Sequence, residues 1–556
     1  MDKINVTFDN GRTARYRVYT KVGRLSGRCG LQKGLPCLGA LVNNEVSSLS
    51  YPLTTDSRVS FLTAADSNGI RIYRNSISFM LAKAVSELFP AAQFSIEHSF
   101  GTGLYCSFEA CSGGAADKAT SEKQVAAIER RMRQIVKRDL PIVRKKMSFE
   151  QAVDHFKQTG QTDKLNLLRF RNPPRVVIHT CGGFSDLGHS PLVESTGVLR
   201  VFKLIHYRAG FVLQLPDRED PLRMAPFVDQ PHLFRIFQEH KEWGRILKVA
   251  TVGRLNEITA AGEISDFIRV AEALHEKKIA AIADQIVSRR CKVILVAGPS
   301  SAGKTTFSKR LAIQLRVNGM RPRTIGTDDY FVDVAHTPRD NEGKTDFEHI
   351  EAVDVVLFNQ HLVKLLRGEE IEQVQFDFGT KQRKLTDKRM HLEDDEILII
   401  EGIHGLNPRL TYMVPSRQKF RIYVSALTQL AIDSNNRIST TDNRLMRRMV
   451  RDKRFRGNSP LATLRMWPSV RRGEKTWVFP FQRQADAAFN SALDYELAVL
   501  KPLVEPLLLE VKSFDPEYAE ARRLSAFLSN FLAVSDFEVP RTSILREYIG
   551  RSGFRY

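Results

Sequence analysis

The chain has 556 residues, which is long for one hydrophobic core and predicts several domains. Its hydrophobic content of 42% is ordinary for a globular protein, and the absence of a long apolar run predicts no signal peptide and no membrane span. A net charge of +20 favours polyanionic partners such as nucleotides or RNA, unless the whole proteome is basic. Six scattered cysteines without a C-x-x-C pair indicate a reducing, cytoplasmic location.

The chain begins with a pattern typical of short β-strands. Residues 3–8 alternate between apolar and polar, and a hairpin turn signal follows at Asp9-Asn10-Gly11. Further strands are expected at 14–19, 40–46 and 59–62. So many strands with little helix predict a small β-grasp module over residues 1–64. This module resembles the TGS domain, which is found at the front of threonyl-tRNA synthetases and in some regulatory proteins.

The following stretch carries five motifs of one known domain. They are the segment from Arg74 to Val85, Ile96-Glu97-His98, Gly103-Leu104-Tyr105, Cys181-Gly182-Gly183 and Val193-Glu194-Ser195-Thr196-Gly197. On these motifs, residues 65–250 resemble the second, editing-type domain of threonyl-tRNA synthetases, which has an α+β fold.

The groups that perform editing in that family are mostly replaced here. The family has two histidines one helical turn apart and a later Cys-x-x-x-His. This chain has Asn75 and Phe79 at the helix positions, and Cys181 is followed by Ser185, with His189 later. A phenylalanine can neither ligate a metal nor move a proton, so we expect no editing catalysis. The remaining shell could bind RNA or tRNA, a nucleotide or a partner, or brace the rest of the chain.

Residues 251–289 have the spacing of a helical connector. Ser265-Asp266 is a candidate N-cap for a run of apolar residues from Phe267 to Ile286.

A complete phosphate-binding loop follows a short apolar run at 292–297 that predicts a buried parallel strand. The loop and the first residue after it are Gly298-Pro299-Ser300-Ser301-Ala302-Gly303-Lys304-Thr305-Thr306. Apolar residues at helical spacing continue to a stop at Asn318-Gly319. Strand, glycine-rich turn and helix are the context in which backbone N–H groups surround phosphate, so the loop predicts ATP binding. Lys304 can reach the terminal phosphates, and the Thr305 hydroxyl can ligate Mg²⁺.

Two acidic positions lie where the neighbouring strands are expected to end. Glu401 closes the apolar run 396–400 and can help to hold Mg²⁺, and Gly402 follows where hydrolytic motors carry a second acid. This favours transfer to a substrate over hydrolysis. Asp328 follows the strand-like run 323–326 and could accept a proton from an incoming hydroxyl, although an acid there is equally typical of a turn or helix cap.

On these residues, segment 290–512 resembles the uridine kinase and phosphoribulokinase group of P-loop kinases. The matching motifs are Asp328 with Tyr330 and Phe331, the segment Thr345 to Asp354, Phe376-Asp377-Phe378 with Arg383, and Glu401-Gly402-Ile403. The resemblance implies that Asp328 is the general base and contacts the metal, and that Glu401 and Thr305 hold Mg²⁺. It also implies that a nucleoside binds near six residues: Tyr330, Asp346, Phe347, Phe376, Asp377 and Arg383. Phe331 stands where many uridine kinases carry a tyrosine, so the identity of the base stays open.

An arginine-rich segment follows at 437–456. Arg444, Arg447, Arg448 and Arg451 are spaced to share one helix face. Uridine kinases place a lid helix here, which makes Arg447, Arg448 and Arg451 candidates for charge stabilisation during transfer. A solvated basic face or an RNA-contacting stripe would have the same spacing.

The sequence thus predicts a multidomain α/β protein: a β-grasp (TGS-like) module, an α+β synthetase-like domain and a P-loop NTPase domain with a doubly wound parallel sheet. Residues 513–556 are expected to form a helical segment with a loose basic tail. The predicted activity is ATP-dependent phosphorylation of the 5′-hydroxyl of a nucleoside, with uridine or cytidine favoured by the resemblance. The alternatives are another small alcohol acceptor on the same fold, or a nucleotide-switched RNA-binding factor. Residues 467–482 further resemble long nucleoside kinases that are fused to a synthetase-like front half.

Overall fold

The computed structural model describes residues 2–28, 34–109, 120–171, 173–224, 226–340, 342–377 and 379–556. Three residues considered above, Cys29, Cys111 and Phe378, lie outside these ranges. Within them, no helix combines the length and apolar character that crossing a membrane requires.

The first sheet is built from the short strands that the alternation predicts. They are β1 (Lys3–Phe8), β2 (Thr13–Arg17), β3 (Gly39–Val42), β4 (Glu45–Ser47) and β5 (Ser57–Leu62), in the order β2-β1-β5-β3-β4. β1 runs parallel to β5, and the other pairs are antiparallel. Ile4, Val6 and Phe8 on one face of β1 are buried in a small apolar core. The predicted strand at 3–8 is confirmed, whereas the likeness to a TGS module stays a prediction.

The next part of the chain contains two antiparallel sheets that flank a long helix. Its elements are α1 (Ser67–Leu88), β6 (Gln93–Phe100), β7 (Gly103–Glu109), α2 (Glu122–Arg138), β8 (Val143–Ser148), α3 (Phe149–Gln158), α4 (Thr162–Arg169), β9 (Arg175–Cys181), β10 (Phe184–Leu187), β11 (Lys203–Tyr207) and β12 (Gly210–Gln214). The sheets have the orders β11-β12-β7-β6 and β10-β9-β8. Helix α1 buries most of its C-terminal two thirds, because its apolar residues lie on several faces rather than one.

Three helices connect this part to the phosphate-binding part: α5 (Pro231–Leu247), α6 (Val252–Ala260) and α7 (Ile264–Arg289). The expected helical connector is present. The expected N-cap at Ser265-Asp266 is wrong, because α7 already begins at Ile264 and the residue in the N-cap position, Glu263, makes no side-chain capping hydrogen bond. Burial of Phe267 and Ile268 fixes the start of the helix instead of a cap.

The phosphate-binding part has a five-stranded parallel sheet at its centre. Its elements are β13 (Val293–Ala297), α8 (Lys304–Val317), β14 (Arg321–Gly326), α9 (Val355–Leu366), β15 (Ile371–Asp377), β16 (Gln382–Met390), β17 (Glu396–Glu401), β18 (Lys419–Ser425), β19 (Ala431–Asp433), β20 (Asn436–Arg437), α10 (Thr440–Phe455), α11 (Pro460–Trp477), β21 (Ala487–Asn490), α12 (Glu496–Leu509), α13 (Tyr518–Leu528) and α14 (Arg546–Ile549). The central order is β14-β17-β13-β18-β21, and every neighbouring pair is parallel. Every residue of β13 is buried, as its apolar run predicts. Helices pack on both faces of such a sheet, so its carboxyl edge is left open for a ligand.

A buried cluster of charges joins the hairpin β19–β20 to the synthetase-like part. The Lys164 ammonium lies 3.2 Å from Asp186, and His189 Nε2 lies 2.9 Å from Asp433 Oδ2. Asn435 donates to the second Asp186 oxygen at 2.8 Å. Lys164 and the hydrogen bonds to Asp433 hold the pKa of Asp433 well below its usual range although the group is buried. The two parts therefore share a polar interface that depends on one buried cation.

Lys164→Met should strongly destabilise the protein, because it leaves two carboxylates buried without their ammonium partner. The expected loss in the free energy of unfolding is about 3 to 5 kcal/mol. Urea denaturation measures it, with Arg269→Met as the matched control, since the Arg269–Asp266 pair is exposed (71% and 81%) and such pairs contribute about 1 kcal/mol or less. Equal losses in the two variants would contradict the assigned role of the cluster.

Candidate active site

The phosphate-binding loop lies between β13 and α8, and close packing constrains two of its glycines. A side chain at Gly298 would collide with the carbonyl oxygen of Val424 on β18, and Gly303 has a φ of +79° and lies against Ile544. Ser301 also adopts a left-handed φ of 58°. These conformations turn successive N–H groups toward one side, which is the arrangement that surrounds an anion. All nine residues predicted to bind ATP, from Gly298 to Thr306, lie in this turn and the first turn of α8.

The predicted metal-binding groups lie together at the carboxyl edge of the sheet. The Thr305 hydroxyl donates to Glu401 Oε2 at 3.1 Å, and Lys304 Nζ lies 4.0 Å from Glu401 Oε1. Burial raises the pKa of Glu401 to about 7, with the nearby Asp328 carboxylate adding to the shift against the opposing effect of Lys304. A carboxyl group with this pKa gains from a divalent cation, so the residues present fit Mg²⁺.

Asp328 lies in the turn Thr327–Tyr330, directly after β14 and beside β17. Its side chain is open to solvent within the cleft, yet the surrounding protein desolvates the carboxylate enough to raise its pKa against the field of Lys304, Arg456 and Arg451. The site therefore brings Asp328 close to Lys304 and Glu401. A basic carboxylate that is accessible in a cleft can receive a proton from a substrate hydroxyl.

Packing requires a glycine at position 402, in addition to the functional explanation inferred from the sequence. A Cβ at this position would overlap Thr327 Oγ1 and Cβ. The strand end after Glu401 thus lies in close contact with the turn that carries Asp328. This contact holds the two carboxylates at a fixed distance from each other.

The residues predicted to bind the acceptor divide into two groups. Phe347 and Phe376 lie in one aromatic cluster with Phe331, with ring centroids 5.5 to 6.2 Å apart. Arg383 forms an ion pair with Asp354 at 2.9 Å, beside this cluster.

The other three residues that were predicted to bind the acceptor substrate make contacts with neighbouring parts of the protein. Tyr330 is buried and its hydroxyl lies 3.0 Å from His361 Nδ1. Asp377 accepts from the N–H groups of Gly379 and Thr380 in the β15–β16 turn. Asp346 accepts from the Glu348 N–H at 3.0 Å. These contacts stabilise the walls of the acceptor side, so the roles of these residues toward a substrate stay predictions.

Helix α10 carries the predicted arginine face, and the face is buried rather than solvated. Arg444 forms a two-point ion pair with Glu474 and donates to the Ser300 carbonyl oxygen. Arg447 donates to Glu496 at 2.6 Å and is fully buried. A solvated basic face is therefore the wrong interpretation for these two arginines.

The other two arginines of this face lie nearer to the cleft. Arg448 Nη1 donates to the Ser300 hydroxyl at 2.9 Å, and Arg451 pairs with Asp452 at 3.1 Å. The positive charge of Arg451 also lowers the pKa of Asp328. Of the three arginines predicted to stabilise charge, Arg448 thus lies at the loop and Arg451 near the base. Arg447 joins α10 to the start of α12 and also donates to the Ser301 carbonyl oxygen of the loop at 3.4 Å.

Sequence reasoning missed several carboxylates around the loop. Glu348 has a pKa of about 7, raised by burial and by Glu474, and its Oε2 has no hydrogen-bond partner among the described residues. Glu474 accepts from the Ser300 N–H at 3.0 Å. Glu547 reaches the first turn of α8. All three are distant from the loop in sequence, and nothing in their local motifs signals the contact.

The cleft that would perform editing in the synthetase-like part is almost filled. A cavity of about 20 Å³ remains between α1 and β9–β10, lined by residues that include Asn75, Phe79, His179 and Asn435. Phe79 packs against Phe184 with ring centroids 5.2 Å apart. This volume accommodates about one water molecule, and the hairpin β19–β20 forms part of its wall.

Comparison with known proteins assigns the phosphate-binding part to a family. Residues 293–498 match the model of the Phosphoribulokinase / Uridine kinase family. A solved structure described as a possible uridine kinase from Bacillus stearothermophilus covers 38% of this chain and 98% of its own, with 18% identity and a TM-score of 0.25. The assignment rests on the family match.

The front half matches a different group of proteins. The threonine–tRNA ligase of Desulforamulus reducens is 29% identical over 263 residues, which are 45% of this chain and 40% of the ligase. That of Janthinobacterium sp. is 32% identical over 209 residues, which are 37% of this chain and 32% of the ligase. The chain thus spans less than half the length of these relatives. In this chain, a domain that matches the Phosphoribulokinase / Uridine kinase family over residues 293–498 is fused to a front half homologous to threonine–tRNA ligases.

Proposed function

We propose that the protein transfers the γ-phosphate of ATP to the 5′-hydroxyl of a nucleoside, with uridine or cytidine as the favoured acceptors. One observation carries the proposal: the Asp328 carboxylate opens into the same cleft as Lys304, Thr305 and Glu401, at the carboxyl edge of the parallel sheet. A carboxylate base can activate water as well as an alcohol, and the aromatic wall formed by Phe331, Phe347 and Phe376 is what favours an organic acceptor here.

The residues of the cleft divide the work of an in-line transfer. Asp328 accepts the proton of the attacking hydroxyl, which then bonds to the γ-phosphorus as the bond to the ADP oxygen breaks. Lys304 and Arg448 lie at the loop, where negative charge on the transferred group needs stabilisation. Arg451 lies near enough to Asp328 to lower its pKa, against the larger effect of desolvation.

Thr305 and Glu401 are the residues that would hold Mg²⁺. Bound there, the cation supplies neutralisation of phosphate charge. The raised pKa of Glu401 and the unpartnered hydroxyls of Ser301 and Thr327, among the described residues, fit a polar ligand in this cleft.

The direct test is turnover of ATP and Mg²⁺ by the purified chain across a panel of nucleosides and small alcohols, with products identified by mass. A nucleoside monophosphate formed from uridine or cytidine, and lost in Lys304→Ala, supports the proposal. Phosphorylation of another alcohol would keep the kinase and change the acceptor. Slow ADP release that no acceptor stimulates would favour the nucleotide-switched RNA-binding alternative.

Asp328→Asn should lower the rate of phosphoryl transfer by roughly 10²- to 10⁴-fold while ATP binding is largely kept, because the amide cannot accept the proton. The matched control is Asp329→Asn at the next position, whose carboxyl has a pKa of about 6 through burial and the adjacent Asp328. Single-turnover kinetics and ATP binding measure the two effects. Equal losses in both variants would remove Asp328 from the role of base.

Glu401→Gln should stabilise the nucleotide-free protein at pH 8 but not at pH 4. Burial raises the pKa of Glu401 from its ordinary value of 4.5 to about 7, so its favourable contribution to folding is fully present below pH 4.5 and is lost as the pH rises from there through 7. The amide cannot ionise, and the expected gain at pH 8 is up to roughly 3 kcal/mol.

Thermal unfolding of both proteins at the two pH values measures this gain, with the exposed Glu369→Gln as control. A pH-independent difference would show that Glu401 is not desolvated as described.

For the front half we propose a bracing role, combined with the contact to RNA or tRNA that the positive charge of the chain and the relatives of this half favour. The hairpin β19–β20 bonds to this part through Asp433 and Asn435 and leads directly into α10. The front half thereby fixes the start of the helix that carries the arginine face.

The full chain should not deacylate mischarged tRNA, because Phe79 and the hairpin leave a cavity that holds about one water molecule. Release of the amino acid from mischarged tRNA, followed beside an active deacylase, measures this. Hydrolysis above the rate without protein would contradict the assignment of the cleft as closed.

A further inference from the structure

The first turn of α8 already holds a carboxylate from a distant part of the chain. Glu547 Oε2 accepts from the Thr306 N–H at 3.2 Å and from the Thr306 hydroxyl at 2.7 Å. The Tyr556 hydroxyl lies 2.8 Å from the same Thr306 hydroxyl. Residues 536–556 are called here the latch segment. Two of its side chains therefore make hydrogen bonds to Thr306.

Thr306 is a position that a bound nucleotide needs. The N–H groups of the first helical turn have no partner inside the helix and carry the positive end of its dipole. In a phosphate-binding loop these groups face the phosphates. A carboxylate is an anion that accepts the same hydrogen bonds as a phosphate oxygen, so the Glu547 carboxylate and a phosphate cannot occupy this place together.

The remainder of the latch segment is firmly packed, so the contact does not depend on a loose tail. Ile544, Leu545, Tyr548 and Ile549 are completely buried. Ile544 lies against Gly303 of the loop, and the Arg447 guanidinium lies 5.3 Å from the Tyr548 ring. The Glu547 side chain is only half-buried, and most of residues 551–556 is exposed. The segment thus has a fixed base and a carboxylate that can leave by rotation of its own side chain.

We propose that the latch segment is an autoinhibitory element, in which Glu547 occupies a phosphate position of the nucleotide site until ATP displaces it. The proposal rests on the loop being the nucleotide site of the proposed function. Displacement avoids a charge conflict, because a polyphosphate bound at the first turn of α8 would lie against the Glu547 carboxylate. ATP binding and release of Glu547 are therefore one coupled step.

The coupling has a measurable consequence for affinity. When the binding-competent state is only a fraction of the population, the apparent Kd is raised by the inverse of that fraction. Glu547→Ala and Glu547→Gln should therefore bind ATP about 5- to 10-fold more tightly than the wild-type protein. Isothermal titration of the full chain with ATP and Mg²⁺ measures the Kd. The control is Glu538→Gln, which makes the same change of charge on the same segment, in the turn Asp536–Glu538.

The alternative is that Glu547 only caps helix α8, in which case its loss leaves ATP affinity unchanged or weaker. Either result would overturn the latch, as would equal tightening in Glu538→Gln. Binding of ATP by the wild-type protein with no tightening in the variants would reject the latch and keep the proposed function. Failure of both the wild-type protein and the Glu547 variants to bind ATP would reject both proposals, because the variants should expose the site.

Cleavage by trypsin distinguishes the latch from a helix cap, because a cap would not make the rate of cleavage depend on ATP. Arg551 and Arg555 follow the anchored residues and are exposed. Saturating ATP should increase the rate of cleavage at these arginines in the wild-type protein, because a phosphate at Thr306 displaces the Tyr556 hydroxyl as well as the Glu547 carboxylate. In Glu547→Ala, the same increase should occur at a lower concentration of ATP. Protection by ATP in both proteins would overturn the proposal.

Discussion

Two buried ion pairs hold the arginine helix against the phosphate-binding loop, and the geometry of the site depends on them. Glu474 bridges the Arg444 guanidinium and the Ser300 N–H, and Glu496 receives Arg447. A buried guanidinium is costly unless its partner is fixed and well aligned. The pairs are therefore less a source of stability than a constraint on where α10 can lie. With α10 fixed, Arg448 reaches the loop and Arg451 lies near the base.

The same helix is tied at its other end to the front half. The hairpin β19–β20 precedes α10 and makes its polar contacts with Asp163, Asp186 and His189. These contacts lie beside the small cavity between α1 and β9–β10. Apolar and amide side chains such as Phe79 and Asn75 line this cavity together with residues of the hairpin. The front half can in this way fix a helix of its neighbour.

Much of the fold and the centre of the site could be predicted from the sequence, because both depend on local patterns. The alternation at 3–8 and the apolar run at 292–297 predict strands that the structure contains. The loop motif and the strand-end acids Asp328 and Glu401 lie together because the carboxyl ends of neighbouring parallel strands meet at one edge. The phosphoribulokinase/uridine kinase likeness is confirmed by the family match.

What the sequence could not provide were contacts between distant segments. The spacing of Arg444 and Arg447 predicts a shared face but does not reveal whether solvent or Glu474 and Glu496 covers it. Glu348, Glu474 and Glu547 carry no local signal, since a glutamate near a phosphate-binding loop through tertiary packing has the same sequence context as one on the surface. The predicted N-cap of α7 was wrong, because burial of apolar residues, rather than capping, fixes where that helix begins.

The concentration of carboxylates around the loop gives the site its sensitivity to charge. Asp328, Glu348 and Glu401 all lie near Lys304, and burial raises the pKa of each carboxyl group, with Asp328 adding to the shift at Glu348 and Glu401. Glu547 lies at the first turn of α8 beside them. Such a site is poorly stabilised when empty, because desolvated acids oppose each other's ionisation. A divalent cation relieves this opposition at Glu401, whereas a polyphosphate requires an anion to leave the first turn of α8. Nucleotide and cation therefore favour each other's binding, because each removes a charge conflict that hinders the other.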